Sequence, residues 1–189
     1  LSLTAQSNTA TWYYNDASMN GIQSPTNTAS GSNSTAMGQL TLASGIASTA
    51  MGVETTASGY VSTAMGLQTI ASGSRSTAMG SYTEASGDHS TAMGYATDAI
   101  GDHSTAIGLF TKSSDKSSLV VGQYNLAGST VTSSATEFSL DNTAFVIGNG
   151  TGFNNISRSD ALVVKFNGDA TLAGSMTATS FIGDGSQLT

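Results

Sequence analysis

Seven glycines, Gly38, Gly52, Gly66, Gly80, Gly94, Gly108 and Gly122, recur at an unbroken spacing of fourteen residues. Each closes a near-identical block. Ser-Thr-Ala-Met-Gly stands at 34–38, 48–52, 62–66, 76–80 and 90–94, Ser-Thr-Ala-Ile-Gly at 104–108 and Ser-Leu-Val-Val-Gly at 118–122. A repeat this short and this strict is built one coil at a time, each coil touching only its neighbours.

A second block lies inside each repeat. Thr41-Leu42-Ala43-Ser44-Gly45 recurs as Thr55/Ala57/Gly59, Thr69/Ala71/Gly73 and Thr83/Ala85/Gly87; Ile100 varies it at Thr97/Ala99/Gly101, and it is lost after Thr111, where Ser113 and Asp115 follow. The unit reads as five, two, five and two residues, which suits two short strands joined by tight turns. No repeat has room for a helix, and no 3.6-residue period is present. Alternation along a strand places Ser34, Ala36 and Gly38 on one face and Thr41, Ala43 and Gly45 on another. Facing each other, these sets make a very thin interior. The expectation is an all-β, parallel β-roll (a β-solenoid) of 14-residue coils about 4.8 Å apart, seven coils giving a rod roughly 30 Å long.

The outward residues of the second block are Leu42, Thr56, Ile70, Glu84, Asp98 and Lys112, a mixture suited to water. Outward from the first block come Met37, Met51, Met65, Met79, Met93, Ile107 and Val121, flanked by Thr35, Thr49, Thr63, Thr77, Thr91, Thr105 and Leu119. An apolar stripe running the length of a rod marks an association surface. It could pack on the chain's own flanks. Self-association about an axis along the rod lets every coil bury the same stripe, and is preferred because residues 1–30 and 123–189 are polar and irregular. The number of copies does not follow from the residues.

The pattern Ala-Ser-Gly-x-x-Ser-Thr-Ala-Met-Gly resembles the head repeat of YadA-like trimeric autotransporter adhesins, whose form is Ser-Val-Ala-Ile-Gly with Ala-x-Gly upstream. The resemblance covers about residues 27–122, roughly half of the chain. It implies a left-handed roll, a homotrimer and attachment to a host or environmental surface, protein or glycan. Under it, Thr35, Met37 and their equivalents through Leu119 and Val121 face the threefold axis, Ser34, Ala36 and Gly38 line each roll, and variable positions such as Glu84, Asp98, Tyr82 and Tyr95 meet the outside. Met where the family usually has Ile or Val is a departure, tolerable because Met is adaptable.

Four segments are expected: an N-terminal cap or tip (1–26), the repeat array (27–122), an insertion with one last coil (123–148), and a β hairpin with a linker to a further stalk or domain (149–189). Trp12-Tyr13-Tyr14 is either a tip contact or a cap on the first coil's edge. In the third segment Ala144-Phe145-Val146-Ile147-Gly148 resembles a further first block, with Ile147 as the stripe residue. Ala161–Phe166 then reads as a strand and Asn167-Gly168 as a hairpin turn. The closing residues 178–189 look like the linker of tail-fibre-like and large surface proteins. Residues 149–189 as a whole favour an alternative, the shaft of a phage or injection-system tail fibre. A lesser alternative is an ice-binding solenoid, which needs Thr on a flat exposed face.

A net charge of −7 argues against nucleic acid and acidic membrane surfaces as partners. No apolar run is long enough to span a bilayer, so no direct membrane contact is expected of this segment. The chain begins without Met, which reads as a fragment whose export and anchoring signals lie elsewhere; its expected place is extracellular, on a cell surface or a tail-fibre particle. Cys is absent, so disulfides are excluded. Asp88-His89 and Asp102-His103 occupy the same turn in successive coils, with Arg75 one coil before His89. A metal or anion site is conceivable there, but solvated turn residues are the plainer reading. Ser is ubiquitous and neither His has an orienting partner, so no triad can be argued. The chain is read as non-enzymatic, without catalytic, cofactor or metal residues.

Overall fold

The computed structural model describes residues 13–15, 21–23, 25–126, 134–152, 154 and 156–177. Two sheets are wound from the coils. A broad sheet of twelve strands takes the first-block strands, from Thr35–Gln39 through Thr49–Val53, Thr63–Leu67, Thr77–Ser81, Thr91–Tyr95 and Thr105–Leu109 to Leu119–Gln123. A narrow sheet of seven takes the second-block strands, from Thr28–Ala29 through Leu42–Ala43, Thr56–Ala57, Ile70–Ala71, Glu84–Ala85 and Asp98–Ala99 to Lys112–Ser113. Coil neighbours pair in parallel with a register offset of one repeat: Thr77 opposes Thr91, Met79 opposes Met93, Ala85 opposes Ala99. The chain is thus an all-β parallel solenoid of about seven 14-residue turns, and no helix occurs among the described residues.

The two strands of a coil are unequal, unlike the five-and-five expected. The long strand starts one residue later than the block, at Thr35, and the short strand has two residues. Backbone conformation accounts for this. Every seventh residue from Asn33 to Tyr124 is non-glycine with φ between 45° and 63°. These left-handed residues turn the corners, two per coil. From Ala47 on, their N–H groups donate to the carbonyl fifteen residues earlier: Ala47 to Ser32, Glu54 to Gln39 and Gln68 to Val53, each at 2.8 Å. The inter-coil ladder therefore continues around the corners instead of stopping at strand ends, which offsets the cost of φ > 0 in residues such as Val61.

Glycine serves a different purpose. A Cβ at Gly45, Gly59 or Gly73 would strike the carbonyl oxygen of the glycine one coil on. The same holds for Gly38, Gly52 and Gly66, where φ of 125–128° is also closed to other residues. Gly38 does not line the interior as expected. Its φ breaks the pleat, so the missing side chain would point along the rod into Gly52, and only Ser34 and Ala36 of that set face inward.

The interior is as thin as its sequence. Ala36, Ala50, Ala64, Ala78, Ala92 and Ala106 of the broad sheet and Ala29, Ala43, Ala57, Ala71, Ala85 and Ala99 of the narrow one are fully buried. Thr41, Thr55, Thr69, Thr83, Thr97 and Thr111 fill a third column, their hydroxyls without hydrogen-bond partners. Past the last narrow strand, buried Val120 and Val146 take the place of Ala.

Both ends of the narrow sheet carry an Asn in the Thr column. Asn27 Oδ1 accepts the Thr41 N–H at 3.0 Å, and its Nδ2 donates to the Gly38 carbonyl at 2.9 Å. Asn125 Oδ1 accepts the Lys112 N–H at 2.8 Å while its Nδ2 donates to the Lys112 carbonyl at 3.0 Å. The Asn125 amide stands in for a missing strand's peptide and blunts the edge beyond Lys112–Ser113, whereas the Asn27 amide ties the first coil to the second. Asp115 stands at the position where earlier coils have Gly, and among the described residues no further narrow strand follows it; its Oδ2 accepts the Thr143 N–H at 2.8 Å.

The broad sheet runs on. Thr143–Asn149 adds in parallel, with Ile147 opposite Val121, and Asp160–Lys165 and Ala170–Leu172 follow as antiparallel strands. At the other end Gly21–Gln23 pairs with Thr35–Gln39 and Tyr13–Asn15 pairs with it in turn.

Candidate functional site: the stripe and its two edges

The long strands carry the stripe on the face turned away from the interior. Met37, Met51, Met65, Met79 and Val121 are half-buried, and Met93 and Ile107 are each 38% exposed. In-register pairing is the cause: Met37 opposes Met51, Met65 opposes Met79, and Met93 opposes Ile107, so each side chain is shielded on two sides by its own column and open outward. The Thr35, Thr49, Thr63, Thr77, Thr91 and Thr105 column beside it is half-buried, and Leu119 is 37% exposed. All fourteen residues of the expected seam thus share one face. Among the described strands, none crosses it, and the flanking strands extend the sheet edge-on.

Sequence reasoning missed part of this face. Phe145 opposes Leu119 and Val164, while Ile147 opposes Leu162, which opposes Leu172. Cross-strand partners share a face, so Phe145, Leu162, Val164 and Leu172 continue the stripe past the last coil. The alternation of Leu162 and Val164 around Val163 was the available signal; what hid it was the change from parallel to antiparallel pairing.

The two corners of the coil differ in chemistry. The one after the long strand holds Gln39-Leu40, Val53-Glu54, Leu67-Gln68, Ser81-Tyr82, Tyr95-Ala96, Leu109-Phe110 and Gln123-Tyr124. Its rings run from coil to coil: Tyr82 to Tyr95 at 5.6 Å, Tyr95 to Phe110 at 5.5 Å and Phe110 to Tyr124 at 5.1 Å between centroids. Tyr82 and Tyr95, expected to meet the outside, are exposed members of this column.

The opposite corner is polar for most of its length. His89 and His103 lie face to face at 4.9 Å, Arg75 Nη1 sits 3.5 Å from His89 Nε2, and the Arg75 guanidinium lies 5.3 Å over the Tyr60 ring. Asp88 Oδ1 accepts the Ser74 N–H at 2.8 Å and Asp102 Oδ1 accepts the Asp88 N–H at 3.0 Å. Each carboxylate thus ties its coil to the preceding one. Parallel imidazoles present ring faces to each other, so these two do not converge on a shared ion, and among the described residues no three His, Asp or Glu gather into a ligand set.

On the narrow sheet's outer column, Asp98 lies 3.9 Å from the Lys112 Nζ. Burial raises the pKa of its carboxyl, while Lys112 and Arg158 pull it down. The Thr41 column is inside, and the Thr35 column alternates with Met on the exposed face. Trp12 and residues 178–189, which carry part of the tip-contact and tail-fibre readings, lie outside the described residues; among the described residues no helix is long and apolar enough to cross a membrane.

A family model described as the YadA head domain repeat, two copies, matches residues 25–41, 29–55, 43–69, 57–83, 71–97, 85–111 and 99–125. No curated protein matches the chain.

Proposed function

Because the chain belongs to the YadA head domain repeat family, whose members are structural adhesin modules and not enzymes, we propose that it is the head of a homotrimeric cell-surface adhesin. Thr35, Met37, Thr49, Met51, Thr63, Met65, Thr77, Met79, Thr91, Met93, Thr105, Ile107, Leu119 and Val121 form the seam. The outer surfaces of the rod meet a host or environmental protein or glycan.

One observation carries this reading. Among the described residues the largest fully buried side chains are Val120, Val146, Asn125, Asn142 and Thr, whereas the Met, Ile, Leu and aromatic residues are all half-buried or exposed. A single copy therefore keeps its best hydrophobic material in water. Fully burying an exposed Met is worth roughly 1.5–3 kcal/mol, so closing a half-buried one contributes about 1 kcal/mol. Seven coils of this, summed over a rod, favour association strongly, and no single polar contact on the surface competes. Parallel coils in register give every level of the rod the same seam.

Light scattering on the purified chain tests this. The expected mass is near three times 18.9 kDa, falling to the single-chain mass in Met65→Asp. A wild-type chain that runs as a monomer would end the trimer reading.

A further inference from the structure

We propose that the seam extends sideways around one corner of each coil, and that the edge after the long strand is covered by a second copy of this chain in the same rod register. The inference rests on the trimer reading and adds residues to it. Every coil places at least one large apolar side chain at this corner: Leu40, Val53, Leu67, Tyr82, Tyr95, Phe110 with Leu109, and Tyr124. Leu40 is 59% exposed, and Tyr82 and Tyr95 are also exposed. Turns ordinarily carry Gly, Asn, Asp or Ser. Leu40, Tyr82, Phe110 and Tyr124 hold φ of 45–58°, a conformation that Asn or Gly adopts more cheaply. Ring-to-ring contacts within one copy engage Tyr82, Tyr95, Phe110 and Tyr124, but Leu40, Val53 and Leu67 at the same corner are exposed.

Three features identify the occupant. First, the apolar line is as long as the repeat array, so its partner must be an equally long rod; a compact ligand would need a local patch. Second, it is continuous with the stripe. Val53, Leu67, Tyr95 and Leu109 belong to the same long strands as Met51, Met65, Met93 and Ile107, two residues further on. Third, contacts in a cyclic trimer are heterologous, so the two flanks of the stripe meet different surfaces of the neighbours. The flanks here do differ. The opposite corner has exposed Ile46, Tyr60 and Val61 in two coils, but Ser32-Asn33, Ser74-Arg75, Asp88-His89, Asp102-His103 and Lys116-Ser117 in the rest. The apolar corner is the covered flank and the polar corner faces water. Tyr82 and Tyr95 then belong to the seam, leaving the polar corner and the narrow sheet to meet the outside.

The chain has no Cys, so single thiols report on each corner. Tyr82→Cys and, separately, Leu67→Cys are compared with His89→Cys for reaction with a maleimide dye, in the assembled protein and in a Met65→Asp background. In an assembly of threefold mass, the thiols of Tyr82→Cys and Leu67→Cys are expected to react at least tenfold more slowly than that of His89→Cys, and to approach its rate in Met65→Asp. Two thiols at different coils guard against one substitution disturbing the ring column. Equal rates in an intact trimer would overturn the extended seam while leaving the trimer standing. Protection that persists in a monomeric Met65→Asp chain with unchanged circular dichroism would mean the chain's own flanks cover the edge, which also overturns it. A monomeric wild type would remove both proposals together.

Discussion

The broad and narrow sheets are wound from the same coils, share one interior and pair in the same register, yet only one of them has an apolar outer face. Strand length explains the difference. A five-residue strand shows at least two outward positions per coil, Thr35 and Met37, and repeats them in columns along the rod. A two-residue strand shows one, and Leu42, Thr56, Ile70, Glu84, Asp98 and Lys112 occupy it without a shared chemistry. A surface becomes a seam when enough columns lie side by side, and the narrow sheet never reaches that width.

The glycine columns give the sharpest contrast between the sheets. In Gly66→Ala the new Cβ meets the Gly80 carbonyl group, and φ of 128° is closed to Ala as well. In Gly73→Ala it meets the Gly87 carbonyl without a positive φ. Both are expected to be severe, because backbone can yield only by separating two coils. Gly66→Ala should cost more than about 3 kcal/mol and exceed Gly73→Ala by about 1 kcal/mol or more, read from chemical denaturation. Equal losses would mean that coil spacing alone sets the requirement.

Surface charge separates the faces next. Ile70→Asp on the narrow sheet is expected to leave the mass of the assembly unchanged where Met65→Asp abolishes it. Dissociation by Ile70→Asp would place a contact on the wrong sheet. A smaller effect is expected at the narrow sheet's end: Asn125→Ala removes both amide bonds to Lys112 and should cost about 1–3 kcal/mol. An unchanged melting temperature would show that the end of the sheet needs no cap.

Inside, Thr69→Val should be neutral or stabilising by about 1 kcal/mol, because the buried hydroxyl has no partner to lose. Destabilisation would reveal a bond from that hydroxyl. The smallest effect concerns Asp98. A carboxyl whose folded-state pKa is raised stabilises the fold while protonated, and that contribution is lost as pH rises through the raised value. Asp98→Asn should therefore match the wild type at low pH and gain slightly at neutral pH. The gain stays below about 1 kcal/mol because the side chain is 41% exposed and screened. A loss at neutral pH would show that the Lys112 pair outweighs burial.

Much of this was written in one dimension. The fourteen-residue spacing of Gly38 to Gly122 determined the coil, the parallel register and the all-β class, since no other arrangement brings identical blocks to identical places. The small residues at Ser34, Ala36, Thr41 and Ala43 determined how thin the interior would be, and the Met column which face would be apolar. The roles of Asn27 and Asn125 were also legible, as the two Asn that stand at the ends of the Thr column, fourteen residues before Thr41 and after Thr111. What only the tertiary structure decided was the shape of the corners. The left-handed residues at every seventh position include Leu, Ala, Glu, Val, Arg, Tyr and His, types that announce no turn, because the conformation is imposed by the hydrogen bond to the previous coil and not by local preference. The corners shortened the second strand and set Tyr82, Tyr95, Phe110 and Tyr124 in one line, an alignment that exists only once the coils are wound upon each other.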